Sequence, residues 1–186
     1  MRFFVCYISF ILCHMAEEKV ILVDENDHQI GLMEKIEAHE KALLHRAFSV
    51  FILNSKGDLM LQRRALTKYH SPGLWTNTCC SHQRENETTL AAAQRRLQEE
   101  MGFTTTLTEC FSFIYKAEFD NGLTEHEFDH VLTGIYNDTP VINEDEVAEW
   151  KWIDLKEVQN QIKNRPEDFT PWFKIIFEKF YEALSF

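Results

Sequence analysis

Short apolar runs alternate with turn residues along most of this chain, and helical periodicity is confined to three segments. Lys19 to Val23 reads as a strand and Glu25-Asn26-Asp27-His28 as the turn after it. Ala47 to Leu53 and Leu59 to Arg63 are β-branched, aromatic and aliphatic runs separated by Asn54-Ser55-Lys56-Gly57-Asp58, the pattern of a hairpin. Thr88 to Met101 has helical spacing, with Leu90, Ala93, Leu97 and Met101 on one face and Gly102 placed for a left-handed cap. Phe111 to Glu118, Glu125 to Tyr136 and Glu149 to Ile153 read as further strands. Asp154 is placed to cap a short helix. Thr170-Pro171 opens the last helix, whose stripe is Phe173, Ile176, Phe177, Phe180 and Leu184. Strands around a central helix, with two helices at the end, predict a mixed α/β domain.

With 186 residues, 45% of them hydrophobic, the chain has the size and composition of one soluble domain with a substantial core. Its formal charge of -11 argues against a nucleic-acid surface. It also means that any phosphate ligand needs local cations or metals to overcome the global field. Five cysteines, two of them adjacent at Cys79-Cys80, make a poor disulfide framework and suit a reducing cytoplasm. The apolar run Phe3 to Cys13 is much shorter than the ~20 residues a bilayer requires. No small-residue cleavage site follows it, so residues 1–14 read as an extension outside a catalytic domain at 15–186, with Met15 as the start.

Three clusters carry chemistry. Glu125 and Glu127, two apart on a strand, project from one face while His126 points away, which suits a cation as well as a solvated acidic edge. His39 and His45 flank a short polar segment, and His82 follows the cysteine pair. Arg63, Arg64, Lys68, Arg95 and Arg96 form the densest basic set, suited to phosphate oxygens or to surface ion pairs. Parity on a strand places Cys80 with His82 and turns Cys79 towards the core.

The helix resembles the Nudix box, Gly, five residues, Glu, seven residues, then Arg-Glu-aliphatic-x-Glu-Glu-x-Gly. Glu87, Arg95, Glu99, Glu100 and Gly102 stand at the required spacing, while Ser81 replaces the first Gly and Arg96 replaces a Glu. A box altered in this way and preceded by Trp75-Thr76-Asn77-Thr78-Cys79-Cys80-Ser81-His82 resembles the type I isopentenyl-diphosphate isomerases, from about Met15 to the C-terminus.

That resemblance implies a Nudix-type α/β/α sandwich with a mixed β-sheet. It implies one divalent transition metal, Mn2+ or Zn2+, held by His39, His45, His82, Glu125 and Glu127. A Mg2+ is implied at Glu100, bound with the substrate diphosphate and assisted by the backbone carbonyl of Cys80, with Glu87 and Glu99 as further candidates. Lys35, Arg64, Lys68 and Arg96 match the diphosphate contacts, and Trp172 matches a tryptophan beside the prenyl tail. His14, His28, His70, His126 and His130 match no family position. The implied reaction interconverts isopentenyl and dimethylallyl diphosphate through a tertiary carbocation. Cys80 and Glu127 act as the acid–base pair, assisted by Tyr115. Which of the two gives the proton is open, with Glu127 and Tyr115 favoured as the protonating side and Cys80 as the base. A cytoplasmic monomer acting on a C5 prenyl diphosphate, without nucleic acid or membrane insertion, is expected. The rival is a Nudix pyrophosphohydrolase. It is disfavoured because Arg96 puts a phosphate-holding cation where a hydrolase has a carboxylate, and because it leaves Cys80 unexplained.

Overall fold

The computed structural model describes residues 18–68, 70–119 and 121–183, so the N-terminal extension and Leu184 lie outside the described residues. The elements run β1 (Lys19–Val23), β2 (Gln29–Glu34), α1 (Lys35–Glu40), β3 (His45–Leu53), β4 (Leu59–Arg64), β5 (Trp75–Thr76) and β6 (Cys79–Ser81). They continue with α2 (Thr89–Met101), β7 (Leu107–Glu118), β8 (Thr124–Ile135), β9 (Val147–Ile153), α3 (Leu155–Asn164) and α4 (Pro171–Ala183). Among the described residues no helix is long and apolar enough to cross a membrane.

The sheet, not the helix, is central. β3 pairs in parallel with β8 from His45–Glu127 to Leu53–Ile135, and β7 lies antiparallel on the far side of β8. β4 pairs antiparallel with β9 and β5. Side-chain alternation then feeds two cores. Phe48, Val50 and Ile52 of β3 pack with Ala92, Ala93, Leu97 and Met101 of α2, whereas Phe51 packs with Phe173, Ile176, Phe177 and Phe180 of α4. The helical stripe expected for α2 is partly displaced, since Leu90 is exposed and the small residues Ala92 and Ala93 are buried. Alanines at that face let the helix pack close to the sheet.

β3 and β4 were expected as one hairpin, and their turn is present, but they share only the pair Leu53–Leu59 before parting. Thr78 fills the gap. Its hydroxyl accepts from the Ile52 amide at 3.0 Å and donates to the Met60 carbonyl at 2.6 Å. Asn77 donates to the carbonyls of Val50 and Cys79. The Thr76-Asn77-Thr78 segment thus replaces missing ladder bonds, satisfying backbone groups that would otherwise be buried unpaired.

The end of α2 is fixed as its sequence demands. Gly102 has φ 74°, and a Cβ there would lie 2.2 Å from the Val141 carbonyl oxygen. The Val141 and Asn143 amides donate to the carbonyls of Met101 and Glu100, docking the 141–143 segment on this helix end and leading the chain to Glu146.

Candidate active site

Where β3 and β4 diverge, a cavity of about 200 Å³ opens between the two cores. Lys35, Arg64, Lys68, Cys80, His82, Arg96, Glu100, Tyr115, Glu125, Glu127 and Trp172 all line it, so one cavity gathers residues from α1, β4, β6, α2, β7, β8 and α4. His39 and His45 lie beneath, fully buried.

At one end the imidazoles converge. The ring centroids of His39, His45 and His82 are 4.8 to 5.9 Å apart, and His39, His45, His82 and Glu125 present ligand atoms within 4.8 Å of one another. Glu127 completes the group, its Oε1 lying 3.1 Å from His82 Nε2 and 3.7 Å from His45 Nε2. The tautomers of two rings follow from their partners. A carbonyl only accepts, so His45 Nδ1 donates to Leu43 at 2.8 Å and His39 Nδ1 donates to Lys35 at 2.5 Å. Both rings thereby aim Nε2 at the carboxylates, the arrangement that carbonyl partners give metal-ligating histidines. His45 Nε2 is buried without a hydrogen-bond partner among the described residues. An imidazole-rich donor set with two carboxylates fits Mn2+ or Zn2+ better than Mg2+.

The protonation of this end follows from burial. Burial pushes His82 down to about 4 against the pull of Glu127. Burial also opposes a charge on His39, but its hydrogen bond and charge pairing with Glu125 raise it. Burial and the neighbouring Glu127 charge raise Glu125. Glu127 is held well below the usual carboxylate range despite its burial, because the His45 and His82 rings stabilise its anion.

Cys80 lines the cavity while Cys79 is buried among the α2 side chains, as strand parity requires. The Tyr115 hydroxyl donates to Glu127 Oε2 at 2.5 Å, and burial and that carboxylate keep the phenol protonated. Burial pushes the Cys80 thiol up to about 12, so in the protein alone Cys80 holds its proton and Glu127 is ionised. A thiolate at Cys80 therefore requires cations beside it, since a neighbouring positive charge lowers a thiol.

At the other end stand the cations. Arg96 reaches Glu100 Oε1 at 2.6 Å and Glu99 at 2.8 Å, and Glu146 Oε2 takes both Lys68 and, at 3.3 Å, Arg96. Lys35 stands nearer the histidines, its carbonyl accepting from His39 and its ammonium 3.0 Å from Glu18. Glu100 receives Gln62 Nε2 on its second oxygen at 2.9 Å. Glu87 is clamped by Arg95 at 2.7 and 2.8 Å, and Arg63 pairs with Glu149, so these residues serve ion pairs outside the cavity. Glu99 also stands outside, bridging Arg95 and Arg96.

Glu18, Gln62 and Glu146 line the cavity and went unread in the sequence, and His70, which matched no family position and was set aside, lines it too. Gln62 lies two before Arg64 on the same strand, a parity signal that was available. His70 and Glu146 are on connections, where no periodicity marks direction, and Glu18 precedes its strand.

A NUDIX domain matches residues 43–173. Solved structures share the fold: a Deinococcus radiodurans protein aligns with a TM-score of 0.67 at 21% identity, over 80% of this chain and 90% of its own. A MutT protein from Methanosarcina mazei aligns with a TM-score of 0.63 at 18% identity, over 77% and 96%. Much nearer in sequence is isopentenyl-diphosphate Delta-isomerase 2 of Aromatoleum aromaticum, 50% identical over 169 residues, covering 91% of this chain and 89% of the relative. The isopentenyl-diphosphate Delta-isomerase of Pectobacterium atrosepticum is 51% identical over 165 residues, covering 89% and 92%. With this similarity along nearly its whole length, and with Cys80, His82 and Glu127 lining one cavity, the chain belongs to the isopentenyl-diphosphate Δ-isomerase family within the NUDIX fold.

Proposed function

We propose that the cavity interconverts isopentenyl and dimethylallyl diphosphate with Cys80 and the Tyr115–Glu127 pair as its acid–base groups. The observation that carries this reading is the division of one cavity into two chemistries: a thiol and a carboxylate near the histidines, and Arg96 and Lys68, joined through Glu146, at the other side. The substrate's anionic half then serves as a handle whose binding positions the alkene.

The reaction adds a proton to the terminal methylene carbon. The π pair forms the new C–H bond and leaves a tertiary carbocation. A base then removes a proton from the carbon nearer the diphosphate, and that C–H pair becomes the new double bond. The reaction runs both ways, so the group that gives a proton in one direction recovers it in the other. Glu127 with Tyr115 as donor and Cys80 as base describes one direction. The resting protonation of the protein alone describes the other, with Cys80 carrying the proton.

His39, His45, His82, Glu125 and Glu127 would hold Mn2+ or Zn2+, and Glu100, with the Cys80 carbonyl, would hold Mg2+ together with diphosphate oxygens. These ions would supply positive charge that organises the site and lowers the pKa of the acids around it. Arg64, Lys68 and Arg96 neutralise the handle, and Trp172 offers a π face to the cation, worth ~2 kcal/mol when desolvated. A cytoplasmic monomer is the accompanying expectation.

The discriminating experiment is turnover in D2O with Mg2+ and Mn2+ supplied. Deuterium should enter the C5 chain with no phosphate or pyrophosphate released. Phosphate appearing at the rate of substrate loss, without carbon-bound deuterium, would establish a hydrolase instead.

A further inference from the structure

We propose that His70 is a positioning residue for the alkene end of the cavity, its ring bracing Trp172 and closing the wall beside Glu125. His70 sits on the connection from β4 to β5 and lines the cavity, buried. Two segments remote in sequence meet on it. Phe119 stacks on its ring at 5.3 Å, Trp172 meets it edge-on at 5.4 Å, and Phe119 meets Trp172 at 6.0 Å. Arg64 ties the assembly together. Its guanidinium lies 5.2 Å over the Trp172 ring and donates to the His70 carbonyl at 3.3 Å.

Trp172 depends on these neighbours for its orientation. Its indole N–H is buried without an acceptor among the described residues, so ring packing holds the indole in place of a hydrogen bond. Next to His70, Ser71 has φ 47°, a left-handed conformation that turns the connection back immediately after the imidazole enters the cavity. The chemistry beside this wall is a tertiary carbocation, which gains from π faces, and the rings of His70, Phe119 and Trp172 supply them there. The distance of 3.9 Å from His70 to Glu125 Oε1 places that ring at the rim of the metal cluster without adding it to the converging ligand atoms.

The inference rests on the isomerase reading and predicts a pattern across three substitutions in the full chain. His70→Ala should lower kcat about tenfold with KM within about twofold, because bracing a cation's wall acts in the transition state and not on the handle. His70→Phe should restore most of that loss. His70→Lys should lose at least about a hundredfold. A second readout needs no turnover: calorimetric binding of a diphosphate bearing a trimethylammonium tail, compared with its uncharged tert-butyl counterpart. The wild type should prefer the cation, His70→Phe should keep the preference, and His70→Ala should lose most of it. Metal content should stay near wild type throughout, and the thermal midpoint should stay near wild type in His70→Phe.

The proposal is overturned if His70→Phe is as defective as His70→Ala or loses the histidine-site metal, since the ring nitrogens would then be what matters. It is also overturned if His70→Ala keeps both kcat and the cation preference. A wild-type protein that turns over no isopentenyl diphosphate yet shows a His70-dependent cation preference would refute the isomerase reading and leave the bracing role standing.

Discussion

Replacing Arg96 by leucine separates two jobs that this residue performs at once. Its guanidinium contacts Glu99, Glu100 and Glu146 at 2.8, 2.6 and 3.3 Å. Glu99 is more than a third exposed and can turn to water, so its share is small. Glu146 retains Lys68. Glu100 is different: it is nearly sealed from solvent, and the substitution leaves Oε1 with no donor while Gln62 still holds Oε2. Breaking one side of such a buried pair costs about 3 kcal/mol. For a chain of this length that corresponds to roughly 9 °C in the thermal midpoint. Pyrophosphate affinity in the presence of Mg2+ should also fall, by about tenfold to a hundredfold, the worth of a charged hydrogen bond. The double variant Arg96→Leu/Glu100→Leu removes the orphaned carboxylate, so its stability should return to within about 1 kcal/mol of wild type. Its pyrophosphate affinity should not recover. Urea denaturation measures the first quantity and calorimetry with inorganic pyrophosphate the second. An Arg96→Leu variant that lost stability but kept its pyrophosphate affinity would mean that Arg96 only neutralises Glu100 and does not hold the substrate.

Cys80→Ala should abolish isomerisation with the thermal midpoint unchanged, whereas Cys79→Ala, in the α2 core, should cost about 1–2 kcal/mol of stability and little rate; an active Cys80→Ala would end the acid–base assignment. With a chelator present, stability should decline as pH falls from about 6.5 towards 4. His70 and His82 are buried with folded values near 3 and 4, so their contribution is complete above the unfolded value of 6.5 and lost below it. His39, whose value is raised, acts oppositely, its contribution being present below 6.5 and lost as pH rises; a flat profile in urea titrations from pH 4 to 7 would contradict the majority. Thr78→Val should leave the Ile52 amide and the Met60 carbonyl unpaired and cost about 2–4 kcal/mol, and a loss below 1 kcal/mol would show that the sheet closes without it.

Legibility in the sequence followed periodicity. Glu125 and Glu127 share a face of β8, and His126 turns away to donate to the Ala42 carbonyl, because a strand's period of two leaves no choice. The same rule separated Cys79 from Cys80. The Gly102 cap and the Asp154 cap were readable because each end has one chemical solution. Where the chain lacked a period, reading failed. β2 is an edge strand with Ile30 exposed, and α1 is only six residues long, too short for a stripe to register. The placement of His70 depends on where Arg64, Phe119 and Trp172 happen to meet, a fact of tertiary packing. The roles of the four diphosphate cations and of the histidine cluster came through resemblance, and their convergence on one cavity is what the fold adds.

The parting of β3 from β4 has a consequence for how this fold can change its chemistry. A ligand seated on one face of a sheet is read by one layer of side chains, and altering the layer alters everything about the ligand. Here the opening lies between the two cores, so under the proposed function the handle would be gripped from the α2 side, at Arg96 and Glu100, and the carbon skeleton from the α4 side, at Trp172. The two grips share no core: Leu97 and Met101 support one, Phe173 and Phe177 the other. Substitutions under α4 can reshape what is done to the carbon chain without loosening the hold on phosphate. That independence is a physical route by which one scaffold that holds diphosphates serves both bond cleavage and proton transfer.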